Sequence, residues 1–159
     1  MSTKSDFAEK DWKRIVRAPF VAGLAITLAD PGGPIEAAKE TMATVKSATN
    51  PPSREQLLTE VALDIQAMTQ QHQNPVKGFT LTTGEEPGQQ VVGELRGAMD
   101  LVRAKATPEE TAAFGTWLLT TAQAAADAAK EGGFMGFHAE RVSTREQAML
   151  DEVRSAVGA

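Results

Sequence analysis

Few residues in this chain can do chemistry, and the histidines set the first limit. There are two, His72 and His138, and no cysteine at all. A di-iron site in a helical bundle needs a glutamate three residues before a histidine on each of two helices. Thr69 and Met135 occupy those places here. The zinc-protease, serine-elbow, dinucleotide and P-loop patterns are also missing from the sequence. Without cysteine there are no disulfides, thiolate nucleophiles or zinc–thiolate centres. No catalytic constellation is legible, and no cofactor is evident.

Carboxylates are the remaining route to a metal. Glu36 and Glu40 are spaced i,i+4, as are Glu60 and Asp64, and such pairs repel mildly unless a cation lies between or opposite them. Magnesium and calcium take oxygen ligands of this kind. Glu36, Glu40 and Asp64 are therefore metal candidates, with Asp64 expected to be partly buried beside an apolar stripe. Anion chemistry has a separate candidate in Lys10, Lys13, Arg14 and Arg17, whose spacing puts them on one helix face opposite Trp12 and Val16. They suit a phosphate, an acidic partner or an anionic membrane surface. The stretch KEGGFMGFHAERVSTRE, residues 130–146, offers two readings. Phe134 and Phe137 can plug one end of a bundle with Gly136 at positive φ, or the turn can cradle an anion beside Arg141. Packing is the expected role, because paired phenylalanines this close tend to bury themselves.

The elements that must position these groups read as helices. Apolar residues recur at helical spacing in almost every segment. A first helix is expected from about Asp6 to Leu28, kinked or restarted at Pro19, which cannot donate and crowds the turn before it. DPGGP breaks the chain, and a second helix should bury Ile35, Ala38, Met42 and Val45. A third is expected to start at Ser53 and bury Leu57, Val61, Ile65 and Met68, reaching toward His72. Residues 73–88 form an irregular loop in which VKGFTLTT is a possible short extended piece. A fourth helix buries Val91, Leu95, Met99 and Val102, with Gly93 and Gly97 permitting close approach on another side. Thr107, Pro108 and Glu110 spell a capped start to the fifth helix, whose inward stripe is Phe114, Trp117, Leu118, Thr121, Ala125 and Ala129. Ser143 and Glu146 form a second capping box, opening a last helix with Met149, Leu150, Val153 and Val157 inside.

This pattern predicts an all-α, single-domain antiparallel bundle of about six helical segments over residues 1–159. The length of 159 residues supports one core, and 42% hydrophobic with 23% charged residues is a globular balance. A net charge of −5 disfavours nucleic-acid binding. The longest apolar run, APFVAGLAITLA, is too short to be a transmembrane segment. No secretory leader is visible, so a cytoplasmic location is expected.

The stretches DWKRIVRAP, ADPGGPIEAAKE and EGGFMGFHAERVSTRE resemble those of small bacterial all-helical proteins of unknown function. Asp30, Gly32, Ile35 and Glu36 also resemble the acidic, glycine-containing turn of tellurite-resistance TerB-like domains, which Asp127, Val142 and Glu146 echo more loosely. That likeness adds Asp30 to Glu36, Glu40 and Asp64 as a metal candidate, and implies a metal or small-anion binding domain, possibly catalytic. The residues themselves point first to a non-enzymatic helical protein that acts through a protein partner or self-association.

Overall fold

Pro19 and Gly23 do not interrupt the first helix. In the computed structural model, which describes residues 2–130 and 142–159, helix α1 runs unbroken over Glu9–Ala29 after a short 3-10 turn at Lys4–Asp6. From Ile15 to Ile26 it is buried on nearly every side, including Ala18, Pro19, Val21, Ala22 and Ala25. A helix that is apolar all round belongs at the centre of a core. That is where α1 lies, packed by every other helix. Its neighbours hold it across the hydrogen bond that proline cannot make, so the expected restart does not occur.

Among the described residues five further helices surround it: α2 Pro34–Ala48, α3 Gln56–Gln70, α4 Pro87–Lys105, α5 Pro108–Lys130 and α6 Thr144–Val157. The fold is all-helical, and no strand is present among the described residues, including the VKGFTLTT stretch. No helix among them is long and apolar enough to cross a membrane.

Polar chemistry sets the helix starts. The Glu86 carboxylate accepts from the Gly88 and Gln89 amides at 3.2 Å each, and Pro87 fills the first position of α4, where no amide is needed. Thr107 Oγ1 accepts from the Glu110 amide at 3.1 Å, while Glu110 accepts from the Thr107 amide at 3.2 Å. Ser143 and Glu146 exchange the same pair of bonds at 3.2 and 3.1 Å. Both expected capping boxes form. Ser53 is no cap: α3 starts after Glu55, and the Ser53 hydroxyl is buried without a hydrogen-bond partner among the described residues.

The inward stripes of α3, α4, α5 and α6 fall where periodicity puts them. Leu57, Val61 and Ile65, then Val91, Leu95, Met99 and Val102, then Phe114, Trp117 and Leu118, then Leu150 and Val153 are buried. Trp117 is wholly enclosed, edge-on to Phe114, with its indole N–H on the Ser47 carbonyl at 2.8 Å.

Helix α2 overturns its expected stripe. Ile35 and Met42 are each 73% exposed and Ala38 is exposed, with Val45 half-buried. The buried face carries Glu40, Thr44 and Ala48 instead. At Thr44 a small side chain is needed, because α1 and α2 approach closely there. A Cβ at Gly23 would lie 2.2 Å from Thr44 Oγ1 and 2.9 Å from its Cβ. Larger apolar residues on that face would force the two helices apart, so they turn outward.

Two smaller expectations also change. Helix α3 ends at Gln70, and His72 lies exposed beyond it at φ 55°, off the apolar stripe. Gly93 is exposed with open space around it, whereas Gly97 does admit a neighbour, the Arg14 guanidinium. The glycine–phenylalanine corner, with Phe134, Gly136, Phe137, His138 and Arg141, lies outside the described residues.

Candidate functional site

The four cations of α1 divide. Arg14 and Arg17 turn toward α4, where both meet the Glu94 carboxylate: Arg14 Nε at 3.1 Å and Arg17 Nη2 at 3.1 Å. Glu94 is largely enclosed, and its two arginines, Arg17 enclosed and Arg14 partly exposed, join α1 to α4. Gly97, one turn on, leaves the space Arg14 needs. Lys10 and Lys13 stay exposed, and Lys13 reaches Glu9 on its own helix at 3.4 Å.

Lys13 and Arg17 stand on the wall of a groove of about 1180 Å³, between α1, the N-terminal turn, α3 and the chain that follows α3. Its apolar lining comes from Phe7, Trp12, Val16, Ala67 and Met68. Phe7 and Trp12 pack at 5.7 Å between ring centroids. Trp12 is held in place by its indole N–H, which donates to Asp64 Oδ2 at 2.7 Å, and Lys4 pairs with the same oxygen at 3.0 Å. Asp64 is therefore partly buried, as its position beside the α3 stripe implied, but it is engaged by a tryptophan and a lysine.

The far wall is residues 71–78, part of the connection between α3 and α4. The Val76 amide donates to Asn74 Oδ1 at 3.1 Å, an Asx turn that folds this segment back. Gly78, at φ 94°, lies where a Cβ would meet Arg17 Nη1 at 2.7 Å. Arg17 uses that gap to donate to the Lys77 carbonyl at 3.4 Å. Four cations, Lys4, Lys13, Arg17 and Lys77, thus line the groove against two carboxylates, Glu9 and Asp64. The groove is locally cationic on a chain of net charge −5. Sequence spacing found Lys13 and Arg17. It missed Lys4 and Lys77, which the fold brings in from outside α1.

The acidic candidates lie elsewhere. Glu40 is only 2% exposed, and Thr27 Oγ1 donates to its Oε2 in a short hydrogen bond. Burial raises its pKa above the usual carboxylate value of 4.5. The Thr27 bond opposes this, and the nearby charges of Glu146, Glu36 and Asp30 add to the rise. Asp30, Glu36 and Glu40 therefore do gather at one end of the bundle, and Glu146 joins them from α6. Glu146 is itself buried, and its Oε2 has no hydrogen-bond partner among the described residues. Still, among the described residues no group of three or more histidines or carboxylates is placed to hold a metal ion.

A third carboxylate was legible only as a cap. Glu110, 1% exposed, accepts from the Ser2 amide at 3.0 Å, the Ser2 hydroxyl at 2.9 Å and the Leu57 amide at 3.0 Å, besides the Thr107 amide. Burial alone would raise its pKa, but these donors outweigh burial and hold it at about 2. No water-facing edge remains for a substrate, so the role is structural.

No family model, curated protein or solved structure matches this chain.

Proposed function

We propose that this chain is a non-enzymatic binding domain whose groove receives an acidic, amphipathic segment of a partner protein. The observation that carries the reading is a groove whose floor shows the edges of the buried Phe7, Trp12 and Val16 and of the half-buried Met68, with four cations on its walls, on an otherwise acidic chain. A segment with apolar residues at helical spacing and glutamates beside them meets both features. At about 1180 Å³ the groove exceeds the roughly 300–1,000 Å³ of compact ligand sites, which favours a peptide over a small metabolite. The alternative, a metal domain built on Asp30, Glu36 and Glu40, has weaker support: these acids share one end of the bundle, but among the described residues no group of three or more is placed to hold an ion.

The test is a titration with a synthetic amphipathic helix carrying glutamates on its polar face, followed by amide chemical shifts. Saturable shifts should centre on Trp12, Lys13, Met68 and Lys77, and weaken as salt screens the charges. A peptide with lysines in place of the glutamates should not bind. Lys13→Glu with Lys77→Glu should abolish the shifts while leaving the fold unchanged. Shifts scattered over the surface, or equal for both peptides, would refute the reading.

A further inference from the structure

The far wall of the groove is held together mainly by its own hydrogen bonds. The Val76 amide donates to Asn74 Oδ1 at 3.1 Å, and the Lys77 amide to the Asn74 carbonyl at 3.2 Å. Just beyond, the Phe79 amide donates to the Val76 carbonyl at 3.0 Å. Within residues 74–78 only Pro75 and Val76 are half-buried, and the rest are exposed. Among the described residues, one hydrogen bond ties this stretch to another element. It runs from Arg17 Nη1 to the Lys77 carbonyl, at 3.4 Å.

That bond is the weak member of a strong set. The Arg17 side chain is 13% exposed, and its Nε and Nη2 lie 3.3 and 3.1 Å from Glu94 Oε1. Glu94 thereby fixes the guanidinium plane and leaves Nη1 for the wall. There Nη1 meets a neutral carbonyl at the long end of hydrogen-bond range. A carboxylate oxygen would hold the same nitrogen at about 2.7–2.9 Å, in a charge-assisted bond roughly twice as strong. Lys13, one turn earlier on α1, and Lys77, on the wall, line the same groove. Lys77 pairs with no carboxylate among the described residues. The Lys77 carbonyl therefore stands where an acid would bind more strongly.

We propose that Arg17 is a latch on this wall, and that the carboxylate of an acidic occupant takes Nη1 from the Lys77 carbonyl and releases the wall as it binds. An occupant that meets Nη1 only in the released state favours that state, as a ligand-driven change requires. Gly78 belongs to the same device, because a Cβ there would lie 2.7 Å from Nη1. Release by an occupant rests on the partner-binding reading; the latch of the free chain does not.

The measurement is amide hydrogen exchange at Val76, Lys77 and Phe79, whose acceptors all lie within this stretch. Arg17→Lys keeps a charge for Glu94 but loses the second arm that reaches the wall. In the free chain it should speed these three amides about two- to ten-fold, the worth of one ordinary hydrogen bond. Arg14→Lys is the control, since Arg14 shares Glu94 without bonding to the wall, and it should leave them unchanged. Gly78→Ala should speed them in the parent and by less in the Arg17→Lys background. Equal effects of Arg14→Lys and Arg17→Lys, or no effect of Arg17→Lys, would overturn the latch. Saturation with the glutamate-bearing amphipathic helix should speed the same amides in the parent and not in Arg17→Lys. A helix with glutamines in place of the glutamates should not speed them. Slower exchange on binding would show the wall closing over its occupant and would overturn the release. Failure of the helix to bind at all would remove the partner-binding reading and the release together, with the latch still decided by the free-chain variants.

Discussion

Replacing Glu110 by glutamine tests the internal logic of the bundle most sharply. The carboxylate takes hydrogen bonds from four donors that belong to the N-terminal segment, the start of α3 and the start of α5. An ionised carboxylate can accept them all, whereas an amide must turn its NH2 toward amide donors that have no alternative acceptor. The carboxyl titrates at about 2 in the folded chain against 4.5 as a free group. That difference corresponds to roughly 3 kcal/mol of stability at neutral pH. Because the folded value is lowered, the contribution is complete above 4.5 and disappears as pH falls toward 2. Urea titrations of parent and Glu110→Gln, followed by tryptophan fluorescence, should therefore differ by roughly 3 kcal/mol at neutral pH. The difference should shrink through the acid range as the parent carboxyl becomes protonated. A gap below about 1 kcal/mol at neutral pH, or one that stays constant down to acid pH, would refute the reasoning.

Glu40 carries the opposite sign. Its folded pKa is raised by burial and by Glu146, Glu36 and Asp30, so the stability linked to its proton is present below 4.5 and lost as pH rises through the folded value. Glu40→Gln should raise the melting temperature at neutral pH, with the gain fading in acid; a lower melting temperature at neutral pH would count against a buried, strained acid. Trp117→Ala should cost roughly 3–5 kcal/mol in a urea titration, since it empties a fully enclosed site and frees the Ser47 carbonyl. An unchanged midpoint would place that residue outside the core.

Capping boxes and stripes were legible because they are local: Thr107 with Glu110, Ser143 with Glu146, and the 3.6-residue rhythm of α3, α4, α5 and α6 lie within single segments. The stripe of α2 was misread because rhythm gives the spacing of apolar residues but not the side on which a neighbour presses. Gly23 and Thr44 settle that side, and their contact joins two helices. Lys4 and Lys77 could not be joined to Lys13 and Arg17 for the same reason, since only tertiary packing brings their segments to one groove. Pro19 misled in another way. The penalty for proline assumes a helix that must support itself, and α1 is supported from all sides.

That central position of α1 has a consequence for how the chain is made. Helix α2, made directly after it, covers part of its apolar surface, but most is covered by α4 and α5, with further shares from α6 and α3. The ribosome releases α1 long before those partners exist. Between Ala29 and Val157 there are 128 residues still to be added, which at about 5–20 residues per second takes roughly 6–25 s. Until α4 and α5 have been made, the nascent chain carries a helix with most of its apolar surface awaiting burial. This domain therefore completes its folding only after translation of its C-terminal half, and α1 is the segment a chaperone would hold in the meantime.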